Sequence, residues 1–240
     1  MSEMSRLFQH GINMQFLLIA GAVILFAGFL ILSFYLEAKR RKELLAWAQS
    51  KGLIFSAGKN YGMETRFPEL SALRQGENRY ACNVMEGDWA GRPVTAFDYH
   101  YETHSHDSKG RRQTHHYNFS TVVIGSRLPL KQLFIRPEGL FDKVAEFFGI
   151  DDIDFESAEF SRKFYVKAED RRWAYDVIHQ RTMQFLLDMP RFTIQFAPFR
   201  VFAWRNATFK VADFEAAAEV LRGMLDRLPD YLVKQLQGSV

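Results

Sequence analysis

The most distinctive pattern in the chain is an uninterrupted apolar run near the N-terminus. Residues 11–36, GINMQFLLIAGAVILFAGFLILSFYL, contain no charged residue. At about 1.5 Å per residue, a helix of this length exceeds the roughly 30 Å hydrocarbon core of a bilayer. The run is also longer than the roughly 7–15 apolar residues of a signal peptide, and no small-residue cleavage site follows it. The pattern therefore predicts a transmembrane helix over residues 11–36 and favours it over a signal peptide.

Basic residues flank this run unevenly. The sequence KRRK follows it at positions 39–42, whereas Arg6 alone precedes it. Segments rich in Lys and Arg stay on the cytoplasmic side of a membrane. We therefore expect a short extracytoplasmic tail over residues 1–10 and a cytoplasmic domain after the span. Helical spacing continues over residues 37–51, which predicts a juxtamembrane stalk that ends at Gly52.

The rest of the chain alternates between strand and helix patterns. The segment after the stalk predicts loop with a short helix from Pro68 to Leu73. Alternating apolar and polar positions predict strands over residues 78–85, 92–103, 113–124, 130–137 and 162–168, and a hairpin over 191–206 that turns near Ala197 and Pro198. Helical spacing predicts helices over residues 138–150, over 169–190 in one or two pieces, and from Phe214 to a bend or end at Pro229.

These elements do not follow a regular strand-helix-strand alternation. The sequence therefore predicts an α+β domain over residues 52–240, with an antiparallel β-sheet and packed helices. Residues 51–240 hold 26 Lys and Arg against 25 Asp and Glu, so the body is nearly neutral. This balance argues against nucleic acid as a partner, because that binding neutralises phosphates with an excess of basic residues. The single cysteine, Cys82, excludes an internal disulfide and suits a reducing compartment.

Three segments carry a resemblance to a known group of proteins. They are GRPVTAFDYHYET at 91–103, IRPEGLFDKVAEFFG at 135–149 and EFSRKFYVKAEDRRWAYDVI at 159–178. In this order behind a single span, they resemble uncharacterised bacterial single-pass membrane proteins with a cytoplasmic domain of unknown function. The resemblance covers about residues 40–235 and implies a bacterial inner-membrane location. It carries over no catalytic residue, because that group has no established activity.

Catalytic motifs do not match the sequence. The segment GLIFSAGKN at 52–60 resembles a phosphate-binding loop, but it has five residues between its glycines and Asn60 in place of Ser or Thr. The segment DDIDFESAEF lacks the turn glycine and the final glutamate of a calcium loop, with Ser157 and Lys163 at those places. No GxSxG elbow is present. The sequence therefore favours a role other than catalysis.

One segment remains a candidate for chemistry. Residues 97–119 hold five of the seven histidines within two predicted strands. Side chains alternate across a strand, and the odd-numbered positions of both strands are aromatic or β-branched, so we expect the odd face to be the core. The even-numbered polar residues then share the outer face, whereas His115 falls on the aromatic face.

The register between the two strands has two alternatives. Either His104 faces His116 and Glu102 faces Asn118, or Glu102 faces His116 and His100 faces Asn118. In both cases His100, Glu102, His104 and His116 are the candidate metal ligands, a set that suits zinc. A solvated polar face without a cofactor is the competing and favoured interpretation, because residues i and i+2 of a strand lie nearly 7 Å apart.

The preferred interpretation is a membrane-anchored cytoplasmic interaction or scaffold module that binds the lipid bilayer and a protein partner. Gly21 and Gly28 lie seven residues apart in the span, so close helix packing into a homo-oligomer is a further hypothesis. The alternative is a metal-dependent sensor or enzyme that uses the histidine-bearing strands.

The orientation can be tested with reporter fusions. A reporter that is active only in the cytoplasm should work when it is fused after Val240, and an export-dependent reporter should not. Neutral residues in place of KRRK at 39–42 should blur this difference, because the basic cluster sets the orientation. A periplasmic C-terminus in the unaltered chain would contradict the prediction.

Overall fold

The structure is a computed structural model that describes residues 3–139 and 153–238, with side chains described from residue 16 onward. The helix predicted over residues 138–150 has its apolar positions outside the described residues, namely Leu140, Phe141, Val144, Phe147 and Phe148. The packing of Cα atoms divides the chain between Glu43 and Leu44 into an N-terminal unit and a larger body.

The N-terminal helix α1 spans Glu3–Ser50. It ends where predicted, because Gly52 adopts a left-handed conformation with φ of 71° and the Leu53 N–H donates to the Ala48 carbonyl over 2.8 Å. The last turns of α1 belong to the body, where Leu44 and Ala48 are fully buried. The limits of tail, span and stalk within α1 stay predictions.

The apolar part of α1 is long enough to cross a membrane. Among the described side chains, the segment Phe16–Ser50 is the one helix with the required length and composition, and its most apolar window has no buried residue. Large apolar side chains are exposed along it, including Leu25 at 76% and Phe26 at 64%. Length, composition and exposure of this segment are those of a membrane-spanning helix.

The body contains an antiparallel sheet in which β2, β3 and β4 are long and the other strands are short. Over the described residues it has eight strands in the order β1-β2-β3-β4-β8-β7-β5-β6. The strands are β1 (Ile54–Ser56), β2 (Glu77–Trp89), β3 (Arg92–His106), β4 (Arg112–Gly125), β5 (Leu133–Pro137), β6 (Phe164–Lys167), β7 (Thr193–Ala197) and β8 (Arg200–Arg205). Ala90 and Gly91 both have positive φ and form the two-residue turn between β2 and β3, a conformation that matches the twist of a hairpin.

Helices cover both faces of this sheet. They are α2 (Met63–Arg66), a 3-10 turn (Ser71–Arg74), α3 (Ala158–Lys163), α4 (Arg171–Val177), α5 (Gln180–Asp188), α6 (Val211–Asp226) and α7 (Asp230–Gln237). The side chains of Ser157 and Asp170 cap α3 and α4 by accepting hydrogen bonds from the Phe160 and Trp173 N–H groups. The α+β class with an antiparallel sheet is confirmed.

Two apolar clusters pack against opposite faces of the sheet. The larger one joins even-numbered positions of β3 and β4, such as Ala96 and Val122, to α6 and its neighbours. The smaller one joins odd-numbered positions, such as Phe97 and Phe119, to α2 and the 3-10 turn. The Tyr99 hydroxyl donates to the Leu73 carbonyl over 2.7 Å, and burial raises the pKa of this hydroxyl, which therefore stays protonated.

The even-numbered face therefore differs from the solvated polar face that the alternation predicted. Asp98, His100 and Ser120 are buried at 5%, 8% and 0% exposure. The reason is that long-range partners cover them: Asn83 on β2 donates to Asp98, and the Phe209 N–H donates to Ser120. On β4, His116 and Asn118 remain exposed on this face.

Several element limits also differ from the predicted ones. The segment predicted as loop after Gly52 contains the short strand β1 as well as α2, and the alternating run 162–168 is helical as far as Lys163 before β6 begins. Residues 169–190 form two helices, which is one of the two predicted alternatives, and the amphipathic helix α6 ends at Asp226, near the predicted end at Pro229. Short elements are decided by packing partners that lie far away in sequence.

The parity of the aromatic face can be tested by truncation. Phe119→Ala should lower the free energy of unfolding by about 3–5 kcal/mol, because Phe119 is 3% exposed and packs against Tyr99 at 5.4 Å between ring centroids. Thr114→Ala, at an exposed even-numbered position of β4, should change it by less than about 0.5 kcal/mol. Urea unfolding measures both, and equal losses would contradict the assigned face.

Candidate functional site

The β3–β4 register selects one of the two predicted alternatives. Glu102 faces His116, and His100 faces Asn118. The even-numbered side chains toward the hairpin tip therefore gather on one face. Their neighbours come from β2, which pairs with the other edge of β3.

His100 is held in a fixed orientation by its surroundings. Its Nδ1 lies 2.9 Å from Oδ1 of Asn118, and its ring stacks on Tyr80 with 4.7 Å between centroids. The ammonium group of Lys59 lies 4.0 Å from the centre of the Tyr80 ring. The other ring nitrogen, Nε2, therefore points along the strand toward Glu102.

A single carboxylate oxygen of Glu102 lies close to three polar groups. The Oε1 atom accepts from Asn78 Nδ2 at 2.8 Å and lies 3.4 Å from His100 Nε2 and 3.2 Å from His116 Nδ1. Asn78 has φ of 50° at an irregularity in the β2–β3 pairing, and this irregularity brings its side chain to Glu102. The Asn78 hydrogen bond, followed by the two histidines, holds the pKa of Glu102 below its usual range, although desolvation opposes the shift.

Three of the four predicted ligands come together. One ligand atom from each of His100, Glu102 and His116 lies within 4.8 Å of the others. His104 lies apart from them: its Nδ1 is 3.2 Å from Thr114 Oγ1, and its Nε2 is 3.6 Å from a carboxylate oxygen of Glu77. The set that could hold a metal ion is therefore smaller than the predicted one.

His115 lies on the odd-numbered face, as predicted, but it is exposed rather than buried in the aromatic core. Its Nε2 lies 2.8 Å from the Ser105 hydroxyl. Beside it, Tyr101 and Tyr117 stack with 5.0 Å between centroids and line an open groove of about 660 Å³. The aromatic core ends one residue pair before this groove, because α2 and the 3-10 turn do not extend to the tip.

A catalytic nucleophile is not evident among the described residues of the body. The Ser120 hydroxyl donates to Asp98 at 2.5 Å and accepts from the Phe209 N–H at 2.8 Å, so its hydrogen bonds stabilise the fold. Cys82 is half-buried on β2 and forms no disulfide. The chemistry that the side chains around His100 support is binding through nitrogen and oxygen lone pairs.

The sequence analysis missed two residues of this cluster. Tyr80 faces His100 because the β2–β3 pairing shifts register between Cys82 and Met85, and Asn78 lies in a second shift between Glu77 and Tyr80. A bulge has no reliable signal in one strand's own pattern, since it depends on the partner strand. Asn118, in contrast, follows directly from the register alternative that the structure selects.

The described parts of the chain thus combine an apolar helix long enough to span a membrane with an α+β body. A search of solved structures found a similar fold in the crystal structure of the mycobacterial trehalose monomycolate transport factor A, TtfA. The match covers 79% of this chain and 96% of that one, with a TM-score of 0.57 and 16% identity. At this identity the likeness shows the fold alone. Neither a family model nor a curated protein matches the chain.

The backbone beside the cluster leaves no room for a side chain at Gly76. Gly76 has φ of 62°, and a Cβ there would lie 2.1 Å from the Glu102 carbonyl oxygen. Gly91 is a matched control, because it has φ of 78° and a Cβ there would meet nothing within 4 Å. We expect Gly91→Ala to cost about 1–2 kcal/mol from backbone strain, and Gly76→Ala to cost about 1–3 kcal/mol more. Urea unfolding compares them, and equal costs would contradict the close approach.

Proposed function

We propose that this chain is a membrane-anchored interaction module, an accessory factor that holds its α+β body at the membrane for a protein partner. The observation that carries the proposal is the exposed apolar segment of α1. Leu25, Phe26 and Ile31 are 76%, 64% and 70% exposed. The transfer of each such side chain out of water is favourable by about 1.5–3 kcal/mol of free energy. A bilayer is therefore the environment that suits this helix.

The fold comparison supports an accessory role. TtfA is, by its name, a transport factor, and the shared fold covers most of both chains. We infer that this body likewise serves a membrane transport process by contact with other proteins.

The surface of the body is consistent with protein binding. Tyr61 and Phe199 expose 63% and 47% of their surface, and the stacked pair Tyr101 and Tyr117 lines an open groove. Exposed aromatic rings are enriched in protein interfaces because they bury much area at low entropic cost. The body carries nearly equal numbers of basic and acidic residues, and this balance favours a protein partner over nucleic acid.

The basic sequence at 39–42 favours a particular orientation. We propose that the N-terminus lies outside a bacterial inner membrane and that the body lies in the cytoplasm. The half-buried Cys82, which forms no disulfide, suits that reducing compartment.

The proposal is tested by comparing three forms of the full chain in its native membranes. The first is the unaltered chain, the second lacks residues 11–36, and the third carries an unrelated transmembrane helix in their place. After chemical cross-linking, native electrophoresis should resolve one complex of defined size from the first and third forms and none from the second. Mass spectrometry of that complex should identify the same partner in both.

The form with the unrelated helix shows whether the partner binds the body or the apolar helix. A complex that is lost on exchange would mean that the apolar helix is the binding element, as close packing at Gly21 and Gly28 would require. A chain that migrates alone in all three forms would contradict the proposed role.

A further inference from the structure

We propose that His100, Glu102 and His116 bind one divalent metal ion of the zinc class, with Asn118 and Asn78 positioning two of the ligands. The ligand atoms are His100 Nε2, Glu102 Oε1 and His116 Nδ1. This inference concerns the body alone and does not depend on the proposed function.

The first step concerns the proton on His100. Asn118 Oδ1 can only accept a hydrogen bond, so His100 Nδ1, at 2.9 Å, carries a proton and donates it. In the neutral ring Nε2 then has a free lone pair, and it points at a carboxylate oxygen 3.4 Å away. Two acceptors in this arrangement attract a cation between them. Histidines that bind a metal through one ring nitrogen usually donate a hydrogen bond from the other, and that bond fixes the orientation of the ring.

The second step concerns distances. Zinc binds imidazole nitrogen and carboxylate oxygen at about 2.0–2.2 Å, so the edges of its coordination tetrahedron are about 3.3–3.5 Å long. Glu102 Oε1 lies 3.4 Å from His100 Nε2 and 3.2 Å from His116 Nδ1. The first distance equals an edge of that tetrahedron, and the second is about 0.1 Å shorter than one.

The third step concerns the distance between neighbouring residues on one face of a strand, which is the reason that the sequence favoured a polar face over a metal site. His100 and Glu102 are adjacent positions on one face of β3, where Cα atoms are nearly 7 Å apart. Their side chains nevertheless converge, because Tyr80 stacks on the His100 ring and Asn78 draws Glu102 toward β2. The irregular pairing of β2 thus supplies the bulge that a multi-ligand site needs.

The fourth step concerns access. The side chains of His100 and Glu102 are only 11% and 16% exposed, whereas that of His116 is 61% exposed. An ion can therefore enter from the side of His116, and a water molecule can take the fourth position. Two histidines and one glutamate with an open position form a set that zinc accepts.

Binding is tested on the untagged full chain in detergent, first stripped with a chelator and then titrated with Zn²⁺ against a chromophoric competitor. We expect one ion per chain. Co²⁺ as a probe should give the intense visible absorption of a tetrahedral site. Zn²⁺ should also raise the unfolding temperature of the stripped chain, since a ligand that binds the folded state stabilises it.

Variants distinguish a specific site from the general affinity of surface histidines for metal ions. His116→Gln should abolish stoichiometric binding without unfolding the chain, because the side chain is largely exposed. Asn118→Ala should weaken Zn²⁺ affinity by about 10–100-fold, because it removes the hydrogen bond that orients His100. His104→Gln and His115→Gln are matched controls and should leave the stoichiometry and the Co²⁺ spectrum unchanged.

Two results would overturn the proposal. The first is the absence of stoichiometric Zn²⁺ binding by the unaltered chain, in which case protons alone bridge Glu102 and the histidines. The second is binding that falls equally in His104→Gln or His115→Gln and in His116→Gln, which would indicate a diffuse histidine cluster at the hairpin tip.

Discussion

The long antiparallel ladder between β3 and β4 is the constraint on which the rest of the body depends. It pairs residues continuously from Val94 with Ile124 to His106 with Arg112. Because side chains alternate, this one register determines which residues enter each of the two apolar clusters. A slip of β4 by one residue would move Phe119 to the opposite face of the sheet. The two packed faces therefore hold the register, and the register in turn brings Glu102 opposite His116.

Burial on both faces also explains the chemistry of the polar cluster. Near the centre of the ladder, buried Asp98 is satisfied by Asn83 and Ser120, as burial of a carboxylate requires. Toward the hairpin tip, β2 departs from regular pairing and fewer groups cover the face, so the groups around Glu102 lie between core and solvent. This intermediate position allows strong local interactions while an ion or a proton can still reach the site.

The features that sequence predicted well are those with long, regular patterns. The apolar run, the α+β class, the strands that became β2 to β4 and the hairpin of β7 and β8 follow from periodicity and turn residues alone. Asp98, His100 and Ser120 were predicted to face solvent but are buried, because distant groups such as the Phe209 N–H cover that part of the even-numbered face. His116 and Asn118 are exposed on this face, as predicted. Of the predicted ligands, His100, Glu102 and His116 converge but His104 does not. The contribution of Asn78 depends on a bulge, which only the pairing of two strands reveals.

The central claim is that this ladder and its irregular neighbour β2 build a cation site in a body that a membrane helix anchors. The most direct test is anomalous diffraction at the zinc edge from crystals of the full chain grown with Zn²⁺. The account predicts one ordered ion, bounded by His100 Nε2, Glu102 Oε1 and His116 Nδ1. An ion held by His104 and His106 at the hairpin tip, or no ordered ion in the body, would contradict it.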